Sequence, residues 1–234
     1  MIPDLKKCKS ESFMFQSTDA FSAWEYRAAS ASKERVLPDG CRDIIVITSE
    51  RGMPNVKFTA HDTQPWMAQI EAGVKISGFR LRPGSIVSER VVSAITAEPQ
   101  RAPEIVSSER THDPCVDEIV SALSGKNIGN RSVARLIGVS ERSIQRTLKK
   151  FDLPPPEFWR LLGRARRAAV LLKTDIGLAD LACEAGFSDQ AHMTRELVRW
   201  FGLPPARLRQ ERSLLVQIAQ PGLGNWTGEQ ISNR

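Results

Sequence analysis

Two short stretches of the sequence carry side chains that suit hydrogen bonding to an external partner. The first, GFSDQAHMTREL (186–197), has helical periodicity, with Met193 and Leu197 one turn apart on one face. The other face carries an amide, an imidazole, a hydroxyl and a guanidinium, from Gln190, His192, Thr194 and Arg195. Almost no carboxylate is present to neutralise them. Groups of this kind can read base edges in a DNA major groove, where Arg bonds guanine and Gln bonds adenine.

The second stretch, GVSERSIQRTLKKF (138–151), has nearly the same arrangement. Helical spacing predicts that Ile144 and Leu148 face inward. The side chains left for DNA or solvent are then Arg142, Ser143, Gln145, Arg146, Lys149 and Lys150. Solvated helix faces and ion pairs within the domain are the ordinary alternatives for such residues.

The two stretches belong to an internal repeat. Ala134, Gly138 and Ser140 match residues 48 positions later, and the offset grows to 49 and then 50 by FDLPP (151–155) and FGLPP (201–205). In each copy the glycine can adopt a positive φ and turn the chain, and the serine (Ser140 or Ser188) is predicted to cap the second helix. The repeat therefore predicts two helix-turn-helix units, with one residue added at each of two places in the second.

The elements around this repeat change character along the chain. Alternating or continuous apolar runs predict strands over 41–49, 55–60 and 73–84, with Gly78 as a bulge, and residues 11–17 are a further candidate strand. Residues 85–97 suit a helix, and the Pro-rich stretch after them suits a linker. Asp113 and Pro114 then predict the start of a helix that runs to Gly125, the first of a helical series.

Charge and composition narrow the class of protein. The net charge is +6, and residues 131–212 hold 16 Lys and Arg against 9 Asp and Glu, so the whole basic excess lies there. A concentrated positive field attracts a polyanion. No apolar run approaches a membrane span, and the lysines near the start are followed by no hydrophobic segment, so we expect no secretory signal. Four scattered cysteines argue against a zinc site or a disulfide framework. These features predict a cytoplasmic, nucleoid-associated protein.

Residues 113–210 resemble the two-motif DNA-binding domain of AraC/XylS-type bacterial transcription regulators, through GFSDQAHMTREL, FGLPP and the connecting segment LGRARRAAVLL. The resemblance implies seven helices, with a long helix holding the two motifs about one DNA turn apart. Asp152 departs from the family pattern, because a glycine is common there. LPDGCRDIIV and GFRLRPGS also resemble a small β-rich domain that precedes this module in some bacterial regulators.

The resemblance also assigns candidate roles to individual residues. The positions implied to read bases are Arg142, Gln145, Arg146, Gln190, His192, Thr194 and Arg195. The positions better suited to phosphates are Ser143, Lys149, Lys150 and Arg199. The basic run RARR (164–167) fits either a DNA-facing stripe or partial burial with salt bridges to Asp175 or Asp180.

These observations predict an α+β chain in which a β-rich N-terminal domain precedes an all-α, seven-helix DNA-binding domain. The predicted boundaries are a sensor or association domain at 1–97, a linker at 98–112, the DNA-binding domain at 113–212, and a partly disordered extension at 213–234.

The predicted function is sequence-specific transcription regulation on double-stranded DNA, without enzymatic activity, cofactor or metal. RNA polymerase, a small-molecule effector and a second copy of the chain are candidate partners, and a membrane is not. The alternative functions are those of a DNA-alkylation repair methyltransferase, which would need a nucleophilic cysteine motif, and of a non-specific architectural DNA binder.

Overall fold

The computed structural model describes residues 16–17, 21–49, 52–125 and 128–219. Contacts between residues divide the chain into two compact units. Within the described residues, the first unit comprises 16–36, 42–60 and 67–112, and the second comprises 37–41, 61–66 and 113–219. Two short segments from the N-terminal half of the chain thus belong to the second unit.

The first unit is built on a five-stranded antiparallel sheet. In spatial order its strands are β1 (Gln16–Ser17), β2 (Phe21–Arg27), β7 (Lys75–Leu81), β4 (Arg42–Thr48) and β5 (Asn55–Phe58). Two further strand pairs are β3 (Ser32–Val36) with β6 (Trp66–Ile70), and β8 (Ser85–Ile86) with β9 (Thr111–His112). The strands predicted at 41–49, 55–60 and 73–84 are confirmed as β4, β5 and β7. The candidate strand at 11–17 lies outside the described residues except for β1.

Gly78 does not form the predicted bulge. It pairs in uninterrupted register with Trp24 on β2 and with Ile45 on β4. A Cβ atom at this position would lie 2.0 Å from Cε2 of the Trp24 indole. The bulge prediction was therefore wrong: the glycine makes room for a cross-strand tryptophan ring, which a break in apolar phase cannot reveal.

Two helices complete the first unit. They are α1 (Glu89–Ala97) and α2 (Ala102–Glu109), joined by a 3-10 turn at Pro99–Arg101. Ile95 and Val106 are fully buried against Ile44 and Val46 of the sheet. Most of the segment predicted to be a linker, 98–112, is thus helix and strand, because its prolines lie in first turns, where they are compatible with helix.

The second unit is helical. Its elements are α3 (Pro114–Gly125), α4 (Asn130–Leu136), α5 (Glu141–Lys150), α6 (Pro156–Leu171), α7 (Leu178–Glu184), α8 (Gln190–Phe201), α9 (Pro205–Gln210) and α10 (Arg212–Ile218). The described part of 113–212 holds the first seven of these, as the resemblance implies. The eighth, α10, begins at Arg212, runs into the predicted extension and buries Leu214, Leu215 and Ile218 in the core. Residues 220–234 of that extension lie outside the described range.

Aromatic rings on α6 and α8 centre the core of the second unit. Phe158 meets Trp159 and Trp200 edge to face, with ring centroids 5.2 and 5.5 Å apart. His61, from the segment 61–66, meets Trp159 edge to face at 5.5 Å, and Leu37 is buried in the same core. The long helix α6 is therefore packed on several sides, which suits a connecting role.

Helices α3 and α6 approach very closely at one point. A Cβ atom on Gly163 of α6 would lie 2.3 Å from the carbonyl oxygen of Ser124 on α3. The guanidinium of Arg167, one turn further along α6, donates a hydrogen bond to the same carbonyl. Glycine is required here because backbone, not a movable side chain, occupies the space.

Candidate nucleic-acid interface

The first predicted helix-turn-helix motif, α4–turn–α5, has the expected geometry. Gly138 has a φ of 72°, and the amide of Val139 donates to the carbonyl of Ala134 at 2.9 Å. The Ser140 hydroxyl then caps α5 by accepting a hydrogen bond from the Ser143 amide at 3.1 Å. The glycine turn and the serine cap are both confirmed in this copy.

The second predicted helix-turn-helix motif, α7–turn–α8, has the same turn but a different capping residue. Gly186 has a φ of 78°, and the amide of Phe187 donates to the carbonyl of Ala182 at 2.8 Å. The cap of α8 is Asp189, whose Oδ1 accepts from the His192 amide at 2.7 Å, so the Ser188 prediction was wrong. The residue added at this point of the second copy moves the helix start one place beyond the serine.

After each recognition helix, α5 and α8, the chain continues through a residue in the left-handed conformation. Asp152 after α5 has a φ of 53°, and Gly202 after α8 has a φ of 76°. The amide of Asp152 donates to the carbonyl of Lys149 at 3.2 Å, and that of Gly202 to Val198 at 2.8 Å. The departure from glycine at 152 therefore leaves the left-handed exit of α5 intact, at the cost of backbone strain in a residue with a Cβ.

The outer face of α5 carries unengaged cationic and amide groups. Ile144 and Leu148 are buried, as predicted. In the described part of the chain no hydrogen bond or ion pair is made by the exposed side chains of Arg142, Gln145, Arg146 and Lys149. The Nζ of Lys150 lies 5.5 Å from the Phe151 ring centroid, and the Ser143 hydroxyl lies 2.8 Å from that of Ser140. Ser143 thus belongs to the cap, and the longer side chains face outward.

The outer face of α8 is divided between unengaged and engaged groups. Gln190 and Arg195 are exposed, and their side chains make no hydrogen bond or ion pair with other described residues. The Thr194 hydroxyl donates to the carbonyl of Gln190 at 2.8 Å. Arg199 lies 4.0 Å from Glu196 and stacks over Trp200 at 4.9 Å. Gln190 and Arg195 are consequently the predicted residues of α8 most accessible to a partner.

Both ring nitrogens of His192, which is half-buried, face other side chains of the protein. Its Nδ1 lies 3.0 Å from the Ser188 hydroxyl, and its Nε2 lies 3.5 Å from Nη2 of Arg164 on α6. The ring also meets Phe187 edge to face at 5.4 Å. The sequence places this residue with the base readers, whereas the structure places its ring in contact with α6 and the turn.

The basic run 164–167 is partly buried rather than a continuous exposed stripe. Arg164 is 8% exposed and lies over the Phe187 ring at 4.5 Å, and within the described residues neither it nor Arg167 forms a salt bridge to Asp175 or Asp180. Burial lowers the pKa of both guanidiniums, and the neighbouring charge of Arg160 lowers that of Arg164 further. The sequence signal for Arg164 is its position between Gly163 and Ala165, two small residues that are buried with it.

Asp189 is the acidic group at the N-terminus of α8. The backbone amide of His192 holds the pKa of its carboxyl below the usual range, and the Ser188 hydroxyl and the charge of Arg195 act in the same direction. The carboxylate is therefore ionised near neutral pH and serves as the helix cap.

The described residues hold neither a membrane-spanning helix nor a cluster of metal-binding side chains. None of their helices combines the length and the apolar composition needed to cross a membrane. They contain no group of three or more His, Cys, Asp or Glu side chains placed to hold a metal ion. Cys41 is buried, and Cys115 and Cys183 are exposed.

Comparison with known proteins gave one family and several structures. Residues 133–211 match the family described as a helix-turn-helix domain. A transcriptional regulator with an AraC-type DNA-binding domain from Chromobacterium violaceum is 27% identical, covering 47% of this chain and 96% of that one, with a TM-score of 0.38. ToxT from Vibrio cholerae is 8% identical, covering 82% and 98%, with a TM-score of 0.41. No curated protein matches the chain.

The family match runs from within α4 to the end of α9 and so includes both glycine turns and both recognition helices. Each turn closes with the same hydrogen bond, from the amide after the glycine to the carbonyl of Ala134 or Ala182. This chain carries an AraC-type helix-turn-helix domain in its C-terminal part and is a DNA-binding transcription regulator.

Proposed function

We propose that the protein recognises a specific double-stranded DNA sequence, with α5 and α8 entering successive major grooves. One observation carries the proposal. Both helices bury an apolar face and expose amide and guanidinium side chains that make no hydrogen bond or ion pair with other described residues. A non-specific binder would need mainly Lys and Arg at these positions, whereas the amides of Gln145 and Gln190 suit base edges.

The contacts divide by chemistry. Arg142, Gln145 and Arg146 on α5, with Gln190 and Arg195 on α8, read bases; Thr194 offers its methyl group, because its hydroxyl donates to the helix backbone. His192 supports the helix rather than reading a base. Lys149, Lys150, Arg199 and Ser143 contact phosphates, which add affinity without sequence information.

The first unit takes a separate role. Its own core of sheet, α1 and α2 supports a domain that senses a small molecule or mediates self-association. RNA polymerase is then the partner of the DNA-bound protein. Crosslinking of the full chain on its DNA site would test self-association directly, because a dimer predicts a crosslinked product of twice the chain mass.

Selection of bound duplexes from a random library tests the recognition itself. The full chain is expected to enrich one sequence and to protect two major-groove segments about 10 bp apart on it. Changing Gln145 or Gln190 to Ala should relax preference at one or two base pairs within the corresponding segment.

The matched control is Gln69→Ala, which removes the same group from an exposed position of β6. This variant should keep the wild-type preference. An equal loss of affinity for all duplexes in the Gln145 and Gln190 variants would indicate non-specific binding, and the proposal would then be wrong.

A further inference from the structure

Four side chains link the connecting helix α6 to the first turn of α8. The Arg164 guanidinium lies over Phe187, approaches the carbonyl of Gly186 at 3.4 Å, and places Nη2 3.5 Å from Nε2 of His192. The other ring nitrogen of His192 meets the Ser188 hydroxyl, which in turn donates to Oδ2 of Asp189 at 3.1 Å. The series runs from a buried cation to an exposed helix cap.

The direction of each hydrogen bond can be assigned from both ends. A guanidinium only donates, so Nε2 of His192, which faces Arg164 at the long end of hydrogen-bonding range, must be the unprotonated acceptor. An ionised carboxylate only accepts, so the single hydroxyl proton of Ser188 is committed to Asp189. Ser188 must then accept from Nδ1–H of His192. The Arg164 end and the Asp189 end of this hydrogen-bonded series each require the Nδ1–H tautomer of His192.

The series closes on the recognition helix itself. Oδ1 of Asp189 accepts the backbone amide of His192, so the residue whose ring faces Arg164 also supplies the capped amide. Gln190, the first residue of α8, lies between these two anchored residues with its side chain exposed. A rotation of the His192 ring would break its hydrogen bond to Ser188, whose hydroxyl binds the carboxylate that caps the turn from which Gln190 projects.

The first helix-turn-helix unit has no equivalent of this linkage among the described residues. At the offset of 49, the counterpart of His192 is Ser143, whose hydroxyl and amide meet the hydroxyl of Ser140 in the cap. The counterpart of Phe187 is Val139, which is 42% exposed, whereas Phe187 is 6% exposed. The linkage to α6 is thus specific to the second recognition helix.

We propose that Arg164 is a positioning residue for DNA recognition: it fixes the tautomer of His192 and, through Ser188 and Asp189, the orientation in which Gln190 meets a base. This inference rests on the proposed function, because it assigns the support of one base-reading side chain. It adds a specificity-determining residue that lies in the protein core and touches no DNA.

Nitrogen NMR of the full chain tests the first half of the inference without DNA. Wild-type His192 is expected to carry its proton on Nδ1, the less populated position in free neutral histidine. Arg164→Met should return the proton to Nε2, whereas Arg164→Lys, which keeps a group that can only donate, should retain Nδ1–H. A wild-type Nε2–H tautomer overturns the inference even if a variant fails to fold.

Selection from random duplexes tests the second half. Arg164→Met should lower discrimination about tenfold at the base pair where Gln190→Ala relaxes it, and should leave the α5 segment unchanged. Arg160→Met, which removes a guanidinium paired with Glu157 on the same helix, is the control and should keep both preferences. Uniformly weaker binding by Arg164→Met with unchanged preference would reduce Arg164 to a structural residue.

The two proposals fail in different ways. If the wild-type chain enriches no sequence, the proposed function is wrong, and the tautomer of His192 still decides whether Arg164 controls the ring. If the wild type enriches a sequence and Arg164→Met reads it with full discrimination at every base pair, only the positioning role is wrong.

Discussion

Replacing Gly163 with Ala should destabilise the second unit more than any ordinary surface change. The added Cβ would lie 2.3 Å from the carbonyl oxygen and 2.8 Å from the Cα of Ser124. Normal contact between such atoms needs about 3.5 Å, so α3 and α6 must separate by about 1 Å at their crossing. Because the obstructing atoms are backbone, no side-chain rotation can relieve the overlap.

The size of the effect follows from three contributions. Overpacking costs about 3 kcal/mol at the upper end of its range. Weakening the hydrogen bond from Arg167 to the Ser124 carbonyl adds about 1 kcal/mol or more, since hydrogen bonds to charged groups are the stronger ones. The higher helix propensity of Ala relative to Gly offsets about 1 kcal/mol of this destabilisation. The net expectation is a free energy of unfolding lowered by about 3 kcal/mol.

Urea unfolding of the full chain measures this change. Trp159 and Trp200 are fully buried in the second unit, and the red shift of their emission reports its unfolding. At a slope of about 2 kcal/mol per molar, the midpoint should fall by about 1.5 M. Gly125→Ala is the control, because a Cβ there meets nothing within 4 Å, and its midpoint should stay close to wild type. A Gly163→Ala midpoint at or above wild type would refute the argument from close approach.

Three further substitutions test local features. At position 152, where φ is 53°, Gly should be more stable than Ala by about 1 kcal/mol in urea unfolding, and equal stability would contradict backbone strain. The pKa of Asp189 is lowered in the folded state, so the stabilising effect of its carboxylate is present above about pH 4 and is lost as the pH falls through the folded pKa. The difference in free energy of unfolding between wild type and Asp189→Asn should therefore narrow on acidification. Parallel pH profiles of the two proteins would refute this prediction. Gly78→Ala should destabilise the first unit by about 1–3 kcal/mol, because its Cβ overlaps the Trp24 ring; unchanged near-ultraviolet dichroism and melting would exclude this packing.

The features that local sequence rules control were predictable. The glycine turns, the buried faces of α5 and α8 and the strand β4 follow from conformational preference and apolar periodicity, and all are present. The start of α3 was also predictable, because the Asp113 carboxylate accepts from the Cys115 amide as an N-terminal cap does. In each case the determining interactions lie within a few residues along the chain.

The features that depend on distant contacts were not predictable. The ring of His192 faces Arg164, which lies 28 residues away in sequence. The burial of Ile105 depends on a sheet whose strands end more than 20 residues earlier, so composition alone predicts a linker. The role of Gly78 depends on Trp24, again a long-range partner. Spacing along one segment carries no information about such pairs.

The membership of Leu37 and His61 in the second unit has a practical consequence for dissecting the chain. A fragment cut out at the linker and ending at 212 would lack the apolar side chain of Leu37, the imidazole that packs on Trp159, and the three buried residues of α10. A fragment with these endpoints therefore lacks part of its own hydrophobic core. Fusing such a fragment to another protein would expose apolar surface. Poor solubility of the fusion would then reflect the choice of endpoints and not a weakness of the helix-turn-helix fold.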